Sequence, residues 1–136
     1  MTAPAGGVAS ISVTTVLIVD DEPSVRRALR RLLELKGISV VEAGSAAAAL
    51  AVAAGTSAVD AVVSDVVMPG VSGLDFYDEL TRRAPHLAGR VVFLTGAADL
   101  RSVHDPIEAR GVPLLSKMDD LSLAVDAVMI ALLNRS

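Results

Sequence analysis

The segment VLIVDDEP sets Asp20, Asp21 and Glu22 directly after an apolar, β-branched run. Like charges gathered at a strand end repel one another and resist desolvation, so a helix N-terminus, a metal ion, or both must compensate. Other polar residues close other apolar runs: Asp65 after AVVS, Thr95 after VVFL, and Lys117 after LLS. In an open α/β sheet the carboxyl ends of the strands converge on one crevice, however far apart they lie in the chain. Asp20, Asp21 and Asp65 meeting there would form a hard oxygen site suited to Mg²⁺, which takes few carboxylates and keeps its waters. A hydroxyl from Thr95 and an ammonium from Lys117 beside them point to phosphoryl chemistry, since together they can neutralise the oxygens of a transferring phosphoryl group. A carboxylate would then be the nucleophile. Asp65 fits best, because it ends the central strand and precedes VVMPGVSG, whose Pro69, Gly70 and Gly73 leave the site open to a donor. Each residue also has a blander reading: Asp21 and Glu22 before Pro23 suit a helix start, Thr95 suits a strand, and Lys117 suits a surface. What favours the site is their coincidence at successive strand ends.

The elements that must position these residues follow from hydrophobic patterning. Apolar, β-branched runs at 13–19, 38–41, 61–63, 91–94 and 112–115 alternate with helical patterns or loops. Strands apolar on both faces belong in a parallel sheet covered by helices on each side, so an open, doubly wound α/β fold with five strands and about five helices is expected. The first helix shows Val25, Ala28, Leu29, Leu32, Leu33 and Leu35 at three- and four-residue spacing, with Gly37 as its stop. Arg26, Arg27, Arg30 and Arg31 lie on its other face, either as a solvated surface or as a docking face for an acidic or phosphorylated partner. GSAAAALAVAAG reads as an ordinary alanine-rich helix. AADLRSVHDPIEARG should supply the fourth helix, yet Pro106 sits in its middle, so a short helix starting at Pro106, capped by Asp105 and ended by Gly111, is expected. His104 in the same stretch reads as a surface residue, with no base or metal partner near it in sequence. The last helix, over 121–133, is apolar almost all round, with Asp126 its only charge. Its surplus apolar area predicts a self-association surface, possible homodimer included, or a contact belonging to a larger parent protein.

The chain has 136 residues and is 52% hydrophobic, enough for one domain with a substantial core. Residues 1–12 read as a flexible leader and 13–136 as the domain. A net charge of −4 supplies no overall footprint for direct binding of nucleic acid. With no Cys there is neither a disulfide framework nor a thiolate metal site. No uninterrupted apolar run reaches the roughly 18 residues needed for a membrane span, and no basic signal-peptide start is present, so a cytoplasmic protein without membrane insertion is expected.

Taken together, VLIVDDEP, VVSDVVMPGVSGLDF, VVFLTG and LLSK resemble, in order and spacing, the four signature segments of the receiver domains of bacterial two-component response regulators, the CheY-like superfamily. The likeness covers essentially residues 13–133. It implies a flavodoxin-like fold with strand order 2-1-3-4-5. It also implies phosphorylation of Asp65 by a histidine kinase or histidine phosphotransfer protein, with Mg²⁺ held by Asp20, Asp21, Asp65 and the backbone carbonyl of Val67. Thr95 and Lys117 would contact the phosphoryl oxygens. The sequence departs from the family in two places: Met118 follows the site lysine where Pro is usual, often with a cis bond, and Leu114 stands where many members carry Tyr or Phe. Met118 leaves two arrangements, a strained cis bond or a trans bond that re-aims Lys117.

The leading expectation is therefore a receiver that catalyses only its own phosphorylation and slow dephosphorylation, then switches contacts with a downstream protein or a parent multidomain kinase. Slow loss of phosphate is expected because Val67 and Ala97, two residues beyond Asp65 and Thr95, have side chains that cannot orient a water. One alternative is a degenerate receiver that binds partners regardless of phosphate. Another is a Mg²⁺-dependent phosphohydrolase, opposed by the lack of a second acid two residues after Asp65 and of sequence for a cap.

Overall fold

The computed structural model describes residues 13–55, 58–68, 70–96, 107 and 109–133. The central sheet consists of β1 (Thr15–Val19), β2 (Ser39–Ala43), β3 (Ala61–Asp65), β4 (Val91–Thr95) and β5 (Leu114–Ser116), all parallel, in the order 2-1-3-4-5. Four α-helices are described: α1 (Pro23–Leu35), α2 (Ala46–Gly55), α3 (Gly73–Arg83) and α4 (Ser122–Leu133). The expected helix start at Asp105 and Pro106, His104 and the leader over 1–12 lie outside the described residues. Ile107 and Ala109 are helical, and the Gly111 expected to end that helix has φ +73°.

Alternation along each strand divides the core into two layers. Val16 and Ile18 of β1 face α1 and α4, where Leu29, Leu33, Ala124, Val125 and Val128 are buried. Leu17 and Val19 face the other way, toward Ala49 and Ala53 of α2 and toward Phe76, Tyr77 and Leu80 of α3. Tyr77 packs edge-on against Phe93 with ring centroids 6.2 Å apart, and its hydroxyl accepts a hydrogen bond from Gly89 N. Every residue of β3 and β4 is buried, as the central strands of a doubly wound sheet must be.

Strand ends shift by at most two residues from the sequence expectation, and pairing explains the shifts. β1 begins where Thr15 N donates to Asp60 Oδ2 at 2.8 Å, leaving Val13 64% exposed outside the ladder. β2 runs on to Ala43, which pairs with Val19. Pro113 cannot donate a backbone hydrogen bond, and β5 starts after it. Pro23 opens α1, and Gly37, with φ +78°, follows its end as expected. Leu35 lies 76% exposed at the last turn, off the buried stripe. The arginine face of α1 divides: Arg26 and Arg30 turn inward to Glu42 on β2, whereas Arg27 and Arg31 stay exposed.

Between β3 and α3, Val67–Met68 pairs antiparallel with Val71–Ser72, turning through Gly70 at φ +83°. Ser72 caps α3 by accepting from Asp75 N. The role of Gly73 differs from the one its loop position implied. It is buried against the chain, its N–H donating to Val66 O at 2.8 Å, and a Cβ there would lie 2.7–2.8 Å from the Val66 side chain and backbone. Backbone atoms cannot yield cheaply, so Gly73→Ala is expected to cost about 2 kcal/mol, read as a lower denaturation midpoint. An unchanged midpoint would show that Val66 moves freely.

Candidate functional site

Asp20 is the first residue beyond β1. Its N–H donates to Ala43 O, its Oδ1 accepts from Glu22 N at 2.8 Å, and the side chain is buried. Arg26 Nη1 donates to the Asp20 carbonyl at 2.6 Å while Arg26 Nε donates to Glu42 Oε1 at 2.9 Å, so the acidic turn is tied through one guanidinium to β2. Asp21 follows, exposed. Asp65 is the buried last residue of β3, with Oδ1 accepting from Val67 N at 3.0 Å.

Lys117 comes one residue after β5, where its N–H donates to Thr95 O at 2.8 Å. Its Nζ lies 2.8 Å from Asp20 Oδ2, 2.9 Å from Asp65 Oδ2 and 2.9 Å from Glu22 Oε1. No cis peptide occurs among the described residues, so the Lys117–Met118 bond is trans. The trans bond does not re-aim the lysine away from Asp65, because Met118 N donates to Ser116 Oγ and closes the turn that presents Lys117.

Thr95 ends β4, fully buried, and its hydroxyl donates to Gly96 O at 3.3 Å rather than to the carboxylates. The structure thus brings together Asp20, Asp21, Asp65 and Lys117, with Thr95 at the neighbouring strand end. It adds Glu22, which the sequence reading places in the acidic run and at the helix start but not among the site residues; its place in that unbroken run of three acids is the available signal.

Burial pushes the Asp65 carboxyl above the ordinary carboxylate range, and the pull of Lys117 and of Val67 N–H does not fully offset it. For Lys117, burial works to lower the pKa, yet pairing with Asp20, Glu22 and Asp65 outweighs it and holds the ammonium above the ordinary lysine value. One carboxylate oxygen each from Asp20, Asp21 and Asp65 lie within 4.8 Å of one another. Asp20 Oδ2 is buried and, beyond its ion pair with Lys117, receives no directed hydrogen bond. Converging hard oxygens, one of them short of donors, fit a small divalent cation.

Residues 16–128 match the family described as the response regulator receiver domain. The chain belongs to this family. The receiver is 36% identical over 117 residues to the transcriptional regulatory protein FixJ of Azorhizobium caulinodans, covering 86% of this chain and 54% of FixJ. It is 35% identical over 115 residues to the nitrate/nitrite response regulator protein NarP of Escherichia coli, covering 83% of this chain and 52% of NarP. The chain therefore spans about half the length of these curated relatives. Among solved structures, a response regulator receiver domain protein from Clostridium thermocellum superposes with a TM-score of 0.77 at 28% identity, over 88% of this chain and 94% of that one. The structure named FixJ-N gives 0.76 at 26% identity, over 93% and 98%. The flavodoxin-like fold and a place in two-component signalling follow from this membership. Among the described residues, no helix is long and apolar enough to cross a membrane.

Proposed function

We propose that this receiver accepts a phosphoryl group on Asp65 from a histidine kinase or histidine phosphotransfer protein, with Mg²⁺ held by Asp20, Asp21, Asp65 and the Val67 carbonyl. The observation that carries this reading is the placement of Asp65: it ends the central strand with Lys117 Nζ on Oδ2, beside the Asp20 and Asp21 carboxylates. An Asp65 oxygen attacks phosphorus, the bond to the donor breaks, and an acyl phosphate forms. Mg²⁺, when bound, would supply charge neutralisation for the phosphoryl oxygens. Lys117 stays next to the new group and offsets its charge. Thr95 supplies its hydroxyl by leaving Gly96 O, so phosphorylation at β3 would pull on the end of β4. That pull biases a two-state element at the β4 and β5 edge and alters contacts with a downstream protein or an attached domain. We place the domain at 13–136 and its work in the cytoplasm.

The test is intact-protein mass spectrometry after incubation with acetyl phosphate and Mg²⁺. Gain of one phosphoryl group, abolished by chelator, supports the reading; no gain from folded, Mg²⁺-binding protein opposes it. The lifetime of the product is a second prediction. The Val67 side chain, 50% exposed beside Asp65, has no polar atom to orient water, while Ala97 lies outside the described residues. The phosphoprotein is expected to persist for many minutes, and a half-life of seconds would contradict that. Lys117 stays on Asp65 although Met118 follows it, which supports the phosphorylation reading over the phosphate-independent alternative.

A further inference from the structure

An ammonium has three N–H donors. Lys117 Nζ has three carboxylates at 2.8–2.9 Å: it donates to Asp65 Oδ2 and Glu22 Oε1, and it forms an ion pair without a directed hydrogen bond with Asp20 Oδ2. Two of these, Asp20 and Asp65, are buried; the third, Glu22, has a side chain 57% exposed. Lys117 and a divalent cation draw on the same carboxylates, because Asp20 and Asp65, which pair with its Nζ, are among the groups that would hold the metal. Taking up the metal therefore requires Lys117 to loosen its hold on Asp20 without leaving Asp65.

We propose that Glu22 is a positioning residue for Lys117: its exposed carboxylate retains the ammonium at the mouth of the site when Asp20 passes to the cation. The inference rests on the Mg²⁺ reading above. Glu22 suits the task because its backbone is pinned while its side chain is not. Its N–H donates to Asp20 Oδ1 at 2.8 Å, and its carbonyl accepts from Val25 N and Arg26 N at 3.1 and 3.2 Å. Met118, the residue after Lys117, is 77% exposed, and its N–H restrains the turn through Ser116 Oγ rather than the ammonium, which Glu22 Oε1 holds at 2.9 Å. A surface ion pair contributes little by itself. Here it acts by lowering the cost of an exchange between two buried partners.

The test is the Mg²⁺ dissociation constant, by isothermal titration calorimetry, of the wild type, Glu22→Gln, Lys117→Met and the double variant, with folding checked by circular dichroism. Glu22→Gln is expected to weaken binding on the order of three- to fivefold in the wild type, and to have little effect once Lys117 is gone. Equal weakening in both backgrounds overturns the inference, since Glu22 would then act on the cation as a distant charge. Glu22→Asp provides a check that spares Lys117: one methylene shorter, it keeps the charge but loses the reach. It should behave like Glu22→Gln, and wild-type affinity in Glu22→Asp overturns the proposal. Unchanged affinity in Glu22→Gln does so as well. Absence of Mg²⁺ binding by the wild type overturns the metal reading itself and the inference with it.

Discussion

Asp65→Asn takes up no phosphoryl group from acetyl phosphate and Mg²⁺ under conditions where the wild type gains one; this is the expected result of intact-mass measurement. An amide lacks the anionic oxygen that attacks phosphorus, and no acyl phosphate can form on it without losing nitrogen. The variant should still fold. Its amide oxygen can keep the hydrogen bond from Val67 N–H, and Lys117 retains Asp20 and Glu22, so a stability change within about 1 kcal/mol is expected. Loss of uptake therefore reports chemistry rather than collapse. Uptake at the wild-type level would move the acceptor to another carboxylate and sink the proposal.

Lys117→Met is expected to have the largest effect on stability. In metal-free buffer it leaves Asp20 Oδ2 and Asp65 Oδ2 buried and without their cation, at a cost of about 3 kcal/mol, the low end for stripping one partner from a buried pair because the site opens to solvent. For a domain of this size that is roughly 10 °C in Tm. Mg²⁺ should return more stability to the variant than to the wild type, since the metal no longer competes with an ammonium. The pH dependence has a definite sign. The folded-state pKa of Lys117 is raised, so its contribution is fully present below the unfolded value of about 10.4 and is lost as pH rises through the higher folded value. The ammonium's share of the wild-type advantage over Lys117→Met should therefore shrink as pH rises through the alkaline range, and the carboxylates' share as acid protonates Asp65. A variant as stable as the wild type in chelator at neutral pH would mean that the acidic cluster needs no cation.

The parallel sheet and the acidic site were legible because Asp20, Asp65, Thr95 and Lys117 each close or directly follow an apolar strand, a pattern that survives without any contact information. Glu22 was not legible as a partner of Lys117: a helix start explains an acidic residue before Pro23 equally well, and the two are separated by 95 positions in the chain. Arg26 and Arg30 read as a surface stripe because period and charge cannot show that β2 offers Glu42 alongside α1. Gly73 read as an opening in a loop, whereas the constraint is the closeness of Val66, a tertiary distance with no local signature. Strand ends were displaced for a similar reason, since hydrophobicity marks what is buried and pairing decides what is laddered. Val112 is buried yet precedes β5.

Tyr77 has an optical consequence. With one tyrosine and no tryptophan, nearly all of the ultraviolet absorbance and emission of the chain above the phenylalanine region comes from this single ring. The ring is clamped edge-on to Phe93 and held at its hydroxyl by Gly89 N–H, so its signal reports whether α3 remains seated on β4. A melting curve followed at tyrosine wavelengths therefore needs no added label, and it records the loosening of one named helix from one named strand.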